Sequence, residues 1–182
     1  MILCHKSTVL SPWVTLVKKT VQFKKGPASY HCLQQNDYVT VLAVREDGKI
    51  PIVRQFRAAI ERFTWELPGG IVDDGQTPLQ ACQQELREEA GLLVREAYDL
   101  GSHFPDAGRL QNKIHSFFVT AHSLPTFKPE DDVEPDYVDW PTLLTMIRTG
   151  DFASSLHIST LFLATHHPQF LCHVMREMKG ET

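Results

Sequence analysis

At 182 residues with a formal net charge of −4, the chain has room for one compact domain whose core needs neither disulfides nor a structural metal. Hydrophobic residues make up 42% and charged residues 22%, as in ordinary globular proteins, and no apolar run approaches the roughly 20 residues that cross a bilayer. The basic residues cluster no further than Lys18-Lys19 and Lys24-Lys25, which argues against a duplex nucleic-acid binder but not against a small anion met by a metal.

Taken in chain order, the start carries one early Lys, and Ser11-Pro12 breaks its apolar run, so no leader is expected. Cys4, Cys32, Cys82 and Cys172 form no C-x-x-C pair. Cys4-His5 and His31-Cys32 lack zinc spacing, and reduced thiols in a cytoplasm are the better reading. The β-branched run Val14 to Phe23 predicts a strand, Lys24 to Pro27 a turn, and Tyr30 to Leu33 a short partner strand. Residues 1–36 thus read as a small β extension ahead of a main unit at 37–182.

DYVTVLAV (Asp37 to Val44) and IPIVRQF (Ile50 to Phe56) flank Glu46-Asp47-Gly48, which predicts a hairpin. TWELPGG (Thr64 to Gly70), a strong helix, a short strand near Val94 to Tyr98 and KIHSFFVTA (Lys113 to Ala121) follow. Lys128 to Asp136 is an acidic loop before a last strand at Tyr137 to Trp140. Pro141 opens a helix that Gly150 stops, and Ser154 to His166 and Gln169 to Met178 continue the helical zone across Pro168. Strands in adjacent runs with few helices predict an α+β fold on a mixed sheet.

The helix after Gly69-Gly70 is the informative segment. Thr77 as N-cap, Pro78 at N1, Gln80 at N3 and Gly91 at C′ bound it at Pro78 to Ala90. Leu79, Cys82, Leu86 and Ala90 form its apolar stripe, and Gln80, Gln83, Gln84 and Arg87 look outward. Glu85, Glu88 and Glu89 fall at i, i+3 and i+4, so their like charges share one edge and destabilise a bare helix. A hard divalent cation would relieve that repulsion; a solvated acidic face is the plainer reading of the same pattern.

Gly70, Glu85, Leu86, Glu88, Glu89, Gly91 and Leu92 match the box G-x5-E-x7-R-E-U-x-E-E-x-G-U, in which U is a bulky aliphatic, and by it the chain resembles the Nudix hydrolases. Gln76 and Gln84 replace the Glu and Arg that pair in that family, and an amide-amide hydrogen bond between them would substitute for the ion pair. SPW near the start, DYVTVLAV, VRQFR, WELPGG and FPDAGRLQNKIHSFFV (Phe104 to Val119, with Pro105) resemble the branch that cleaves ADP-ribose and other nucleoside diphosphate sugars.

The resemblance implies a Nudix fold, a mixed sheet sandwiched between helices. It implies Mg²⁺, with Mn²⁺ able to stand in, held by Glu85, Glu88, Glu89 and the carbonyl of Gly69 or Gly70. Arg57 would contact the diphosphate, or else is a strand-end surface charge. Glu134 aligns with a general base, with Glu130, Asp131 and Asp132 as rivals, and Glu88 or Glu89 could take the proton directly. Tyr30 would stack on the base, or is a plain sheet tyrosine. Arg109, Asn112 and Lys113 would line the sugar or phosphate side, while His115 is expected to be a satisfied strand residue. A homodimer, with the N-terminal zone crossing to the second subunit, is also implied. A GDP-mannose or other NDP-hexose pyrophosphatase and a non-catalytic nucleotide sensor remain the alternatives.

Overall fold

The computed structural model describes residues 1–129 and 131–179, with side chains described as far as 173. Glu130, one rival for the general base, lies outside the described residues. An antiparallel meander comes first: β1 (Ile2–Ser11), β2 (Val14–Phe23) and β3 (Gly26–Gln34). The sequence pattern predicts no strand at β1, whose short apolar stretch lacks alternation. The meander supplies it by pairing β1 with β2 from Ile2↔Val21 to Ser11↔Val14.

Strand β4 (Tyr38–Arg45) then runs through the centre, followed by β5 (Ile50–Arg57), β6 (Arg62–Glu66), β7 (Gly69–Ile71), α1 (Pro78–Ala90), β8 (Leu92–His103) and β9 (Ile114–Ser123). Beyond them come β10 (Glu134–Val138), α2 (Trp140–Thr149), α3 (Ser155–Ala164) and α4 (Pro168–Lys179). One sheet has the order β7-β4-β9-β8, with β4 and β9 parallel; the other has the order β10-β5-β6.

A parallel strand buried on both faces reads as a continuous apolar run, and β4 does. Val39, Val41 and Ala43 join Ala81, Cys82, Leu86 and Ala90 of α1 in one core. Leu42 and Val44 join Leu143, Leu161, Ala164 and Phe170 of α2, α3 and α4 in the other. The central sheet is therefore a mixed sheet between helices, the α+β architecture that the box implied.

Three local expectations are corrected. The turn at Glu46-Asp47-Gly48 forms, with Gly48 N donating to Arg45 O (2.8 Å), but it closes no hairpin. The two edges of β4 are taken by β7 and β9, so β5 is released into the other sheet. Leu79 does not join the helix stripe: it is 41% exposed, and Ala81 occupies the core-facing position. The acidic loop also ends early, because Glu134 to Asp136 already belong to β10.

Candidate active site

Period-2 alternation gives the β5–β6 hairpin two unlike faces. On the outer one Phe56 packs edge-on against Phe63 (5.4 Å), and the Arg54 guanidinium lies over the Phe63 ring (4.5 Å). The inner face carries Gln55, Arg57, Thr64 and Glu66, with Gln55 opposite Thr64 and Arg57 opposite Arg62. Glu66, only 3% exposed, accepts from Arg57 Nε (2.9 Å) and Nη2 (2.5 Å) and from Thr64 Oγ1 (2.5 Å). His157 Nε2 of α3 lies 3.0 Å from the same carboxylate. Burial alone would raise the Glu66 pKa, but hydrogen bonds from Arg57, His157 and Thr64 outweigh it and hold the carboxyl far below the usual range. The same bond to Glu66 lifts Arg57 further above its already high value. Burial pushes His157 below its ordinary 6.5, so the ring is neutral.

Helix α1 delivers the carboxylates beside this cluster. Its start is fixed as the sequence predicts: Thr77 caps Gln80 N, and the Gln80 side chain returns to Thr77 N. Glu89, 4% exposed, accepts from Gly69 N (2.9 Å) and from the Gln55 amide. Glu85 presses against Gly70, where an added Cβ would sit 2.2 Å from Glu85 Oε1. A Cβ on Gly69 would meet Val39 O at 2.3 Å, so Gly69 lets β7 lie close on β4, while Gly70 lets the strand approach Glu85 of α1. Tyr38, its pKa raised well above the usual range by burial, donates through its hydroxyl to Gly69 O (2.7 Å). Between α3 and the hairpin opens a cavity of about 520 Å³ lined by Tyr38, Arg57, Arg62, Thr64, Glu66 and His157 among others.

Glu88 takes a different direction. It is half-buried on the outer flank and accepts from Gln84 Nε2 (3.1 Å). Gln84 Oε1 in turn accepts from Gln76 Nε2 (2.8 Å), and Gln76 Oε1 accepts from Asp73 N (3.1 Å). The amide pair that the two substitutions suggested is thus in place, and it continues to Glu88 as a relay.

Other residues singled out by sequence fall elsewhere. Tyr30 stands on the N-terminal sheet, 46% exposed and tilted against Phe23 (6.0 Å). The Arg109 side chain is 82% exposed beside Asp106 (3.8 Å), while its carbonyl accepts from Leu33 N. Asn112 is buried and accepts from Gln35 Nε2 (3.1 Å), an anchor for the segment between β3 and β4. Lys113 N donates to Asp37 Oδ1 (2.7 Å), and His115 pairs with Asp37 Oδ2 (2.9 Å), satisfied as expected. Glu134 pairs with Arg54 (3.0 Å) across β10 and β5. Asp131 and Asp132 sit in the turn before it, Asp132 at φ +71°.

Sequence reading missed Tyr38, Gln55, Thr64, Glu66 and His157. The first four carried a signal, polar residues at alternate positions of otherwise apolar strands. His157 carried none, since a single His in an apolar helix says nothing of what it meets.

Among the described residues no three His, Cys, Asp or Glu side chains are gathered as a ready metal cage. The donors at hand still suit a hard divalent cation: the carboxylates of Glu85 and Glu89 border the Gly69-Gly70 strand, whose backbone they touch.

The profile of the NUDIX domain matches residues 35–153. An ADP-ribose pyrophosphatase of Bacillus subtilis (strain 168) is 30% identical over 127 residues, 69% of this chain and 68% of that protein. A CMP-5'-(N-acetyl-N-hydroxy-3-aminopropyl)phosphonate hydrolase of Streptomyces rubellomurinus is 24% identical over 149 residues, 80% of this chain and 72% of that protein. A crystal structure of an ADP compounds hydrolase shares the fold with a TM-score of 0.74 at 19% identity, covering 100% of this chain and 96% of that one. The chain belongs to the Nudix family. It is a hydrolase.

Proposed function

We propose that the substrate is a nucleoside diphosphate sugar, ADP-ribose foremost, cleaved with Mg²⁺ to a nucleoside monophosphate and a sugar phosphate. The observation that carries this reading is the Arg57–Glu66 pair beside Glu85 and Glu89, which sets a fixed guanidinium fork next to carboxylates. Glu66 takes the Nε and one Nη2 N–H, so the Nη1 and remaining Nη2 N–H groups are the ones that would donate to the oxygens of a diphosphate. The Bacillus relative, an ADP-ribose pyrophosphatase, supports the choice of sugar nucleotide.

Glu85, Glu88, Glu89 and the Gly69 carbonyl would hold the cation. Once bound, it would neutralise phosphate charge and lower the pKa of a water. Glu88 can join by leaving Gln84, a neutral partner that releases it at little cost. Arg57 would orient the diphosphate, and Gln55 keeps Glu89 aimed at the strand. Glu134 is our choice of general base; it stands opposite Arg54 on the outer face of the β10-β5-β6 sheet and would have to leave that ion pair to take a proton.

We further propose residues 1–36 as a dimerising β extension of a hydrolase unit at 37–182; the family match begins at residue 35. The N-terminal sheet exposes Ile2, Leu3, Val9, Leu10, Trp13, Phe23 and Tyr30, more apolar side chain than a lone meander keeps in water. A second copy packed on that sheet would bring Tyr30 to the base of a bound nucleoside and leave Arg109 near the sugar. A cytoplasmic setting agrees with the free thiols, of which Cys82 is buried and pushed up to about 12.

The full chain with Mg²⁺ and a panel of ADP-ribose, GDP-mannose and other NDP-sugars, assayed for nucleoside monophosphate release, tests the substrate. ADP-ribose is expected to give the highest kcat/KM; binding across the panel without turnover would instead indicate a sensor. Sedimentation velocity tests the dimer, and a monomer at micromolar concentration would remove it.

A further inference from the structure

We propose that His157 is a positioning residue for the reaction, acting through Glu66 to fix where Arg57 points. This rests on the reading of Arg57 as the diphosphate contact. Arg57 and Thr64 belong to the same hairpin as Glu66, so their bonds move with the hairpin. Among the described residues, His157 is the group at this carboxylate that comes from a different element.

That element is a stiff reference. One turn beyond His157, Thr160 is fully buried and bonds to Thr40 of β4 and to Ser116 of β9 (2.9 Å), which ties α3 to the central sheet. The imidazole is held between Tyr38 (6.4 Å, 86°) and Phe152 (6.2 Å, 81°), both edge-on, so it cannot swing away from Glu66. Tyr38 in turn bonds Gly69 O, so the same ring backs both the arginine clamp and the carbonyl beside the acidic edge.

Packing alone does not explain a histidine here. The ring is 2% exposed, and its Nδ1 has no hydrogen-bond partner. A buried polar atom left unpaired is unfavourable, and Leu would fill similar space without it. What Leu cannot supply is an N–H donor to Glu66. With that donor gone, Glu66 and Arg57 remain paired but are free to shift with the hairpin.

The test compares full-chain His157→Leu, His157→Gln and Arg57→Ala for melting temperature and for kcat and KM with ADP-ribose and Mg²⁺. His157→Leu is expected to melt near the wild-type temperature yet lose about tenfold or more in kcat/KM, the size of one charge-assisted hydrogen bond. His157→Gln, whose amide can still donate, recovers most of that loss. Adding His157→Leu to Arg57→Ala then lowers kcat/KM no further, because the two act through one guanidinium. A folded His157→Leu enzyme with wild-type kinetics, beside an impaired Arg57→Ala, would overturn this inference alone. Wild-type kinetics in Arg57→Ala would overturn the reading of Arg57 and the inference with it. If the Leu variant does not fold, His157→Asn, too short to reach Glu66, must show the same loss relative to Gln.

Discussion

On the inner side of α1, Glu89 and Glu66 are carboxyl side chains almost wholly buried; on its outer side, Gln76 and Gln84 are amides and lie at the surface. Both networks tie a loop or strand to the helix region, but by different means. The buried one gives each carboxylate several donors, because an unpaired charge at that depth costs several kcal/mol. The outer one works with amides whose loss leaves nothing charged behind. Depth, more than residue type, therefore sets how much a substitution should disturb the molecule.

The comparison is broken most directly at Glu89. Glu89→Gln keeps an acceptor for Gly69 N but removes the charge, and kcat should fall by about 10² to 10⁴ with little change in melting temperature. Retained turnover in steady-state assays would take Glu89 out of the metal site. Glu66→Ala strands the half-buried Arg57 and the buried His157, and denaturant titration should show a loss of about 3–5 kcal/mol. A loss under about 1 kcal/mol, the range of exposed ion pairs, would show that burial does not govern this cluster.

The pH dependence sharpens the same contrast. His157 lies below its ordinary 6.5 and Glu66 below its ordinary 4.5, so the unfolded chain binds protons more readily than the native one in both cases. Stability should be complete above about 6.5 and fall as the pH drops through the weakly acidic range. His157→Gln should flatten the melting curve between pH 6.5 and 4.5 and leave the fall below it, where Glu66 protonates in the unfolded chain before it does in the folded one. The smallest effect is expected on the outer side. Gln76→Glu with Gln84→Arg should be tolerated together, either alone costing about 0.5–1.5 kcal/mol, with a measurable coupling in the double-mutant cycle. Additive single effects would mean that the 2.8 Å amide contact carries no energy.

How much of this could be read from the chain varies with how local the cause is. Helix α1 was legible to the residue, from Thr77 and Pro78 to Gly91, because caps are decided within a few neighbours. So was the Gln76–Gln84 pair, whose spacing the helix fixes. The polar face of β5 and β6 was half legible: alternation marks Gln55, Arg57, Thr64 and Glu66, but only register shows which carboxylate meets which guanidinium.

Capping and the spacing of Glu85, Glu88 and Glu89 by themselves determined a helix from Pro78 to Ala90 with three carboxylates at i, i+3 and i+4, since those features depend on neighbours in the chain, and the match to the box added the resemblance to the Nudix hydrolases. Tertiary structure alone decided that β4 and β5 part into different sheets, that Glu89 turns inward to Gly69 and Gln55, and that His157 comes to rest on Glu66. The physical reason is common to all three. Each depends on which distant group satisfies a buried donor or acceptor, and a linear pattern carries no record of that choice.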